Sequence, residues 1–175
     1  LRYHLGNRQL FNEKCTKFFL CNILLCLEYL HRNRIIHRDL KPENIVFDSQ
    51  GYLRVTDLGI SREFKENNEN DTSGTPGYMA PEVMMRKPHS FAVDYFALGV
   101  MAYELMLGVR PYLGANRKEI KEQIMARQAA VKLDQLPFRW SVHAIDFVNR
   151  LLLRKKSVEQ LFEGYSYFAK EGLEK

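Results

Sequence analysis

The sequence has 175 residues, 46% apolar and 27% charged, which suits one domain with a single substantial core and excludes wholesale disorder. Its net charge of +5 is spread thinly, because apart from Arg154-Lys155-Lys156 the basic residues are scattered among acidic ones; a dedicated nucleic-acid surface is not expected. Cys15, Cys21 and Cys26 lie in one apolar stretch with neither CxxC spacing nor a nearby His partner, so buried thiols in a reducing compartment are expected. No apolar run reaches bilayer-spanning length and no signal-peptide pattern is present, so the expected location is cytoplasmic.

The chain opens on Leu1 rather than Met, inside an amphipathic segment, and is expected to be part of a longer protein. From Glu13 to His31 the residues Phe18, Phe19, Ile23, Leu24, Leu27 and Leu30 recur at helical spacing without Gly or Pro, which predicts a buried helix. Ile35-Ile36, Ile45-Val46-Phe47 and Leu53-Arg54-Val55 are short β-rich runs. The last two flank Asp48-Ser49-Gln50-Gly51, whose turn chemistry predicts a small hairpin. Residues 61 to 75 are polar and lack aliphatic side chains; they read as a mobile surface loop, not an element, and as a candidate regulatory segment. A second helix, from about Ala92 to Leu107, is apolar on nearly every face and has Gly108 at its C-cap position, which places it at the centre of the domain. Asn116 starts a charged amphipathic helix to about Arg127. Ser141 starts another through Val142, Ile145, Val148, Leu151 and Leu152. After Ser157 no periodicity is clear.

The densest chemical signal is His37-Arg38-Asp39-Leu40-Lys41-Pro42-Glu43-Asn44, followed by Asp57-Leu58-Gly59. Phosphoryl transfer asks a protein for a carboxylate to receive a hydroxyl proton and for oxygen ligands that hold magnesium against phosphates. Asp39 would orient and deprotonate the hydroxyl, Asn44 would bind one magnesium ion, Asp57 would bridge magnesium to the phosphates, and Lys41 would steady the transferring group. Any one of these residues alone reads as a turn former or a solvated charge. Their occurrence in order with Gly74-Thr75-Pro76-Gly77-Tyr78-Met79-Ala80-Pro81-Glu82 makes chance coincidence negligible.

Through His37-Arg38-Asp39, Asp57-Leu58-Gly59 and Ala80-Pro81-Glu82, residues 1 to about 154 resemble the protein kinase superfamily, leaving 155 to 175 as a divergent tail. The resemblance implies a mainly α fold: the kinase C-terminal lobe, a helical bundle with a small β-hairpin beside the catalytic loop, without the N-terminal β lobe. Lys41 resembles the serine/threonine branch, where such a lysine contacts the phosphate and Thr75 packs beside the catalytic Asp. The string from Gly74 to Glu82 and Ser90-Phe91-Ala92-Val93-Asp94 resemble the AGC group, particularly YANK-type kinases, which share an opening like Leu1-Arg2-Tyr3-His4-Leu5. Implied cofactors are ATP and Mg2+, with Lys41, Glu43, Asn44, Val46 and Asp57 on the nucleotide side. Implied partners are proteins with Ser or Thr acceptors, acted on by a monomer. His37 would pack with Leu58 in the spine that aligns the loop, and Val46 would floor the adenine site. Asp94 would be buried and accept backbone N–H groups of the catalytic loop. Gly59 would let the backbone turn after the metal ligand.

Three departures qualify that picture. No Gly-rich phosphate loop, strand lysine or partnering helix glutamate precedes Leu1, so the chain by itself is expected to bind nucleotide weakly and to be inactive. Where AGC kinases carry a phosphorylatable Thr, three residues before Gly74, this chain has Asp71. It can pair with Arg38 and partly replace a phosphate, or Thr72 or Ser73 is modified instead, or all three are solvated loop residues. The Arg that normally pairs with Glu82 aligns with Glu159, and Lys156 stands where Pro is usual. Either Arg154, Lys155 or Lys156 then partners Glu82, or the C-terminus has diverged and weakened the lobe. The competing readings are a catalytically impaired, pseudokinase-like scaffold, disfavoured by retention of Asp39, Lys41, Asn44 and Asp57, and a small-molecule phosphotransferase, disfavoured by the Gly74 to Glu82 string.

Overall fold

An all-round apolar helix must be enclosed by other elements, and helix α4 (Ala92–Leu107) organises the domain in that way. A computed structural model describes residues 1–6, 10–137 and 139–154. In it Leu98, Val100, Met101 and Leu105 of α4 are wholly buried, packed between α2 (Glu13–Arg32) and α6 (Val142–Leu151). Gly108 ends α4 in the left-handed conformation, φ 75°, with its N–H bonded to Glu104 O at 2.8 Å. The N-terminus of α2 is capped by Asn12 Oδ1, which accepts Cys15 N at 3.0 Å. Its inward face carries Phe19, Leu20, Ile23, Leu24, Leu27 and Leu30. Ser141 caps α6 in the same way, and both its N–H and its hydroxyl donate to the Glu13 carboxylate at 2.6 Å. The starts of α2 and α6 are thereby tied together.

After β1 (Ile35–Ile36), strands β2 (Ile45–Phe47) and β3 (Leu53–Val55) form the antiparallel hairpin, in register Ile45 to Val55 and Phe47 to Leu53. Asp48 closes its turn by accepting the Gln50 and Tyr52 N–H groups and pairing with Arg54 at 2.7 Å. Gly51 supplies the positive φ of 86°. Two expectations need correction. Residues 61 to 75 are not devoid of elements: β4 (Arg62–Glu63) pairs antiparallel with β1, Ile36 opposite Arg62. Both β4 side chains are exposed, so the strand rests on backbone bonds and leaves no apolar alternation to read. The cysteines are not buried as a set, since Cys15 is exposed while Cys21 and Cys26 are half-buried. Burial raises the thiol pKa of the latter two.

The helices α1 (Arg2–Gly6), α3 (Pro81–Met84) and α5 (Arg117–Ala126) complete the described domain. Asn116 caps α5 by accepting Glu119 N at 3.0 Å, and its amide returns a bond to the Glu119 carboxylate. Among the described residues no helix is long and apolar enough to cross a membrane. The tail 155–175 lies outside the described residues. Contact between α4 and α6 depends on Gly99, where an added Cβ would stand 2.7 Å from Leu151 Cβ and 3.3 Å from Leu152 Cδ2. Gly99→Ala should therefore destabilise the domain by about 1–3 kcal/mol through overpacking, despite the better helix propensity of Ala. Urea unfolding monitored by far-UV circular dichroism checks this, and an unchanged midpoint would mean that the two helices separate freely.

Candidate active site

The site is built outward from one buried carboxylate. Asp94, in the first turn of α4, is 1% exposed, and a charge in that position needs donors on both oxygens. Oδ2 accepts His37 N and His31 Nε2, each at 2.9 Å, and Oδ1 accepts Arg38 N at 2.9 Å. The loop after β1 is thus bolted to the central helix through its own backbone. That attachment holds Arg38 at φ 69°, a left-handed conformation unfavourable for a long side chain. The Arg38 Nε donates to Ile60 O at 2.8 Å, while Ser61 Oγ donates to His37 O at 3.1 Å. His37 is fully buried, with Nε2 3.2 Å from Thr56 O.

Asp39 follows, held from two sides. Thr75 donates to Oδ1 with its hydroxyl at 2.7 Å and its N–H at 3.0 Å, and Lys41 Nζ donates to Oδ2 at 2.6 Å. Lys41 Nζ also bonds Thr75 Oγ1 at 2.8 Å, closing a triangle. Burial raises the Asp39 pKa, but the Lys41 and Thr75 hydrogen bonds and the Lys41 charge outweigh it and hold the carboxyl below the ordinary aspartate range. Gly74 makes the approach possible: at φ 128° it turns the chain where any Cβ would come 2.7 Å from Arg38 O. The Asn44 amide nitrogen donates to Asp39 O at 2.9 Å and lies 3.3 Å from Oδ2, so the amide oxygen is the atom Asn44 could offer to a ligand.

Thr56 N donates to Asn44 O at 2.9 Å, so Asp57 begins beside Asn44. Asp57 is exposed and itself left-handed, φ 64°. This corrects the expected role of Gly59, whose own φ is not positive. A side chain there would stand 3.1 Å from Asp57 Oδ1, which instead accepts the Gly59 N–H at 3.2 Å. Gly59 makes room for the carboxylate. Val46 and Leu58 are 44% and 54% exposed, so both present apolar surface at the site.

Around this centre, Arg38 Nη1 lies 3.2 Å from Asp71 Oδ2, the arginine side chain being buried and the aspartate half-exposed. Thr72 is half-buried with its carbonyl accepting Arg117 Nη1 at 3.1 Å, and Ser73 is exposed. Glu82 has no ion pair among the described residues, and burial raises its pKa. Arg154 lines the same cleft but spends Nη1 on Met125 O at 3.0 Å, its Nε buried and unpartnered. Lys155, Lys156 and Glu159 lie outside the described residues. Sequence reasoning missed a second network. Arg2 pairs with Glu43 at 2.7 Å and with Glu104 at 2.8 Å, while Tyr78 Oη donates to Glu104 at 2.6 Å. Burial and the Glu104 charge push the Tyr78 hydroxyl well above its ordinary range. The signal was available, since Glu104 is an acid in an apolar helix and, like Asp94, must find donors.

A family model described as the protein kinase domain matches residues 1–159. Among similar proteins, a probable serine/threonine-protein kinase of Dictyostelium discoideum is 38% identical over 88% of this chain and 33% of its own length. The cAMP-dependent protein kinase catalytic subunit of Schizosaccharomyces pombe is 35% identical over 82% of this chain and 27% of its own length. The human serine/threonine-protein kinase Sgk1 is 39% identical over 75% and 31%. The chain therefore spans about a third or less of these relatives. With the family model covering most of its length and serine/threonine kinases among its relatives, this chain belongs to the protein kinase family.

Proposed function

We propose that this chain supplies the catalytic loop and substrate side of an ATP-dependent protein serine/threonine kinase, with residues 1–154 as its C-terminal lobe. The observation that carries the reading is the closed triangle of Asp39, Lys41 and Thr75, with the Asn44 amide on the same carboxylate. In this reading Asp39, kept ionised by those donors, orients the substrate hydroxyl and takes its proton. Lys41 neutralises charge on the transferring group, and Thr75 fixes the rotamer of Asp39. A scaffold without catalytic duty gains nothing from holding a carboxylate ionised in a partly buried site, and this disfavours the pseudokinase alternative.

The donor set fits a magnesium nucleotide. Magnesium keeps several waters and phosphate oxygens and asks the protein for one or two oxygen ligands, here the Asn44 amide oxygen and the Asp57 carboxylate. Bound ATP and Mg2+ would supply the phosphoryl group and the cationic charge that stabilises its transfer. The half-exposed Val46 is the apolar surface offered to the base. Asp71, already paired with Arg38, stands in for a loop phosphate, with Thr72 and Ser73 as the neighbouring hydroxyls. The AGC assignment is supported by the cAMP-dependent kinase and Sgk1 relatives. The YANK-type likeness rests on the Leu1 to Leu5 and Ser90 to Asp94 strings. A cytoplasmic monomer acting on protein substrates completes the reading.

Two measurements test it. In the full-length polypeptide containing this chain, Asp39→Ala should lower phosphate transfer from magnesium ATP to Ser or Thr peptides by at least about a hundredfold. Undiminished transfer removes Asp39 from the mechanism. The second concerns charge. Because the folded pKa of Asp39 is depressed, its stabilising contribution is present above the unfolded value of about 3.9 and is lost as pH falls through the lower folded value. Carbon-13 NMR of the side-chain carboxyl should show titration below about 3.9, moving upward in Lys41→Met; an identical curve in the variant refutes the role given to Lys41.

A further inference from the structure

The peptide-side string carries a glycine, Gly77, at a place where another side chain has taken its space. A methyl group built on Gly77 would overlap Nη1 of Arg110, with Cζ and Cδ of the same arginine 3.1 and 3.5 Å away. The guanidinium therefore lies directly on the Gly77 backbone, and its Cζ stands 5.6 Å from the centroid of the Tyr78 ring. That ring cannot drift, because its hydroxyl is held by Glu104. The other cations of the site are committed to anions: Arg2 to Glu43 and Glu104, Arg38 to Asp71, and Lys41 to Asp39. Arg110 has no hydrogen bond or ion pair among the described residues, and it is partly exposed.

Position gives this cation a use. Gly77 lies two residues beyond Thr75, whose hydroxyl bonds Asp39, so the two Cα atoms are at most roughly 8 Å apart. An extended peptide advances about 3.3 Å per residue. A side chain two or three positions from the reacting hydroxyl thus comes level with the guanidinium. At the other end of the same segment Arg117, also exposed and without an acidic partner among the described residues, holds Thr72 O at 3.1 Å. The strip from Thr72 to Gly77 is flanked by two guanidinium groups of the same sign. A planar guanidinium already stacked on an aromatic face is pre-organised for a carboxylate, which it binds through two parallel N–H bonds.

We propose that Arg110, seated on the side-chain-free backbone of Gly77, is a specificity residue that selects protein substrates with an acidic side chain within about three positions of the acceptor hydroxyl. The proposal rests on the kinase reading above. The test uses the full-length polypeptide and Ser peptides in which a single Glu, or Gln as its neutral match, is walked through the three positions on either side of the acceptor. At one position kcat/KM should favour Glu over Gln by about three- to tenfold, and the difference should appear in KM. The ratio should fall to about one in Arg110→Ala. It should fall likewise in Gly77→Ala, whose methyl displaces only the flexible end of Arg110, and should shrink but stay above one in Arg110→Lys, which keeps the charge without the planar fork. A ratio near one in the wild type overturns the proposal. So does a ratio that persists in both alanine variants, even with slower turnover, because the arginine then only stacks on Tyr78. If the wild type phosphorylates no peptide, the kinase reading fails by itself. Fluorescence anisotropy of labelled Glu and Gln peptides binding to the full-length polypeptide then decides Arg110 separately: the same Arg110-dependent preference is expected, and its absence overturns the inference.

Discussion

The geometry of the Asp39 site depends on Asp94. A carboxylate buried in the first turn of the central helix is tolerable only because two successive backbone N–H groups and a histidine nitrogen converge on it. Those same bonds dictate the path of the loop that bears Asp39, including the left-handed turn at Arg38. Conformational strain in the loop that bears Asp39 is thereby sustained by the buried central helix. Removing the carboxylate would orphan the donors and release the loop together.

From that anchor the site is assembled by tying separate segments to one carboxylate. Asp39 collects Lys41 from its own loop, Thr75 from the segment after Gly74, and the Asn44 amide from the turn before β2. The intervening segment is pinned at several points: β4 pairs with β1, the Asn68 side chain exchanges two hydrogen bonds with the backbone of His89, and Asp71 meets Arg38. Each tie is a polar contact of a polar sequence, so order in this segment comes from specific partners and not from a core of its own.

The second buried carboxylate of α4, Glu104, organises the Tyr78 segment as Asp94 organises the Asp39 loop. It holds Tyr78 and Arg2, and Arg2 in turn neutralises Glu43. Arg110 completes the arrangement by covering Gly77 and the Tyr78 ring. A single helix thus serves as the base for two polar clusters, one on each side of the loop that bears Asp39.

The elements set by local periodicity and capping were legible in the sequence. They are α2 from Glu13, α4 closed by Gly108, the hairpin around Asp48 to Gly51, and helices capped by Asn116 and Ser141. The motif strings likewise made the family legible, because its members keep the same side-chain types in the same order. Only the tertiary structure decided what depends on groups distant in sequence. The β1 to β4 pairing, the room Gly59 gives Asp57, the exposure of Leu58, the Arg2 network and the seat of Arg110 on Gly77 are all of that kind. The physical reason is that a cap or an amphipathic stripe is satisfied within a few residues, whereas a buried charge or a side-chain-free surface is satisfied by whichever segment the fold brings to it.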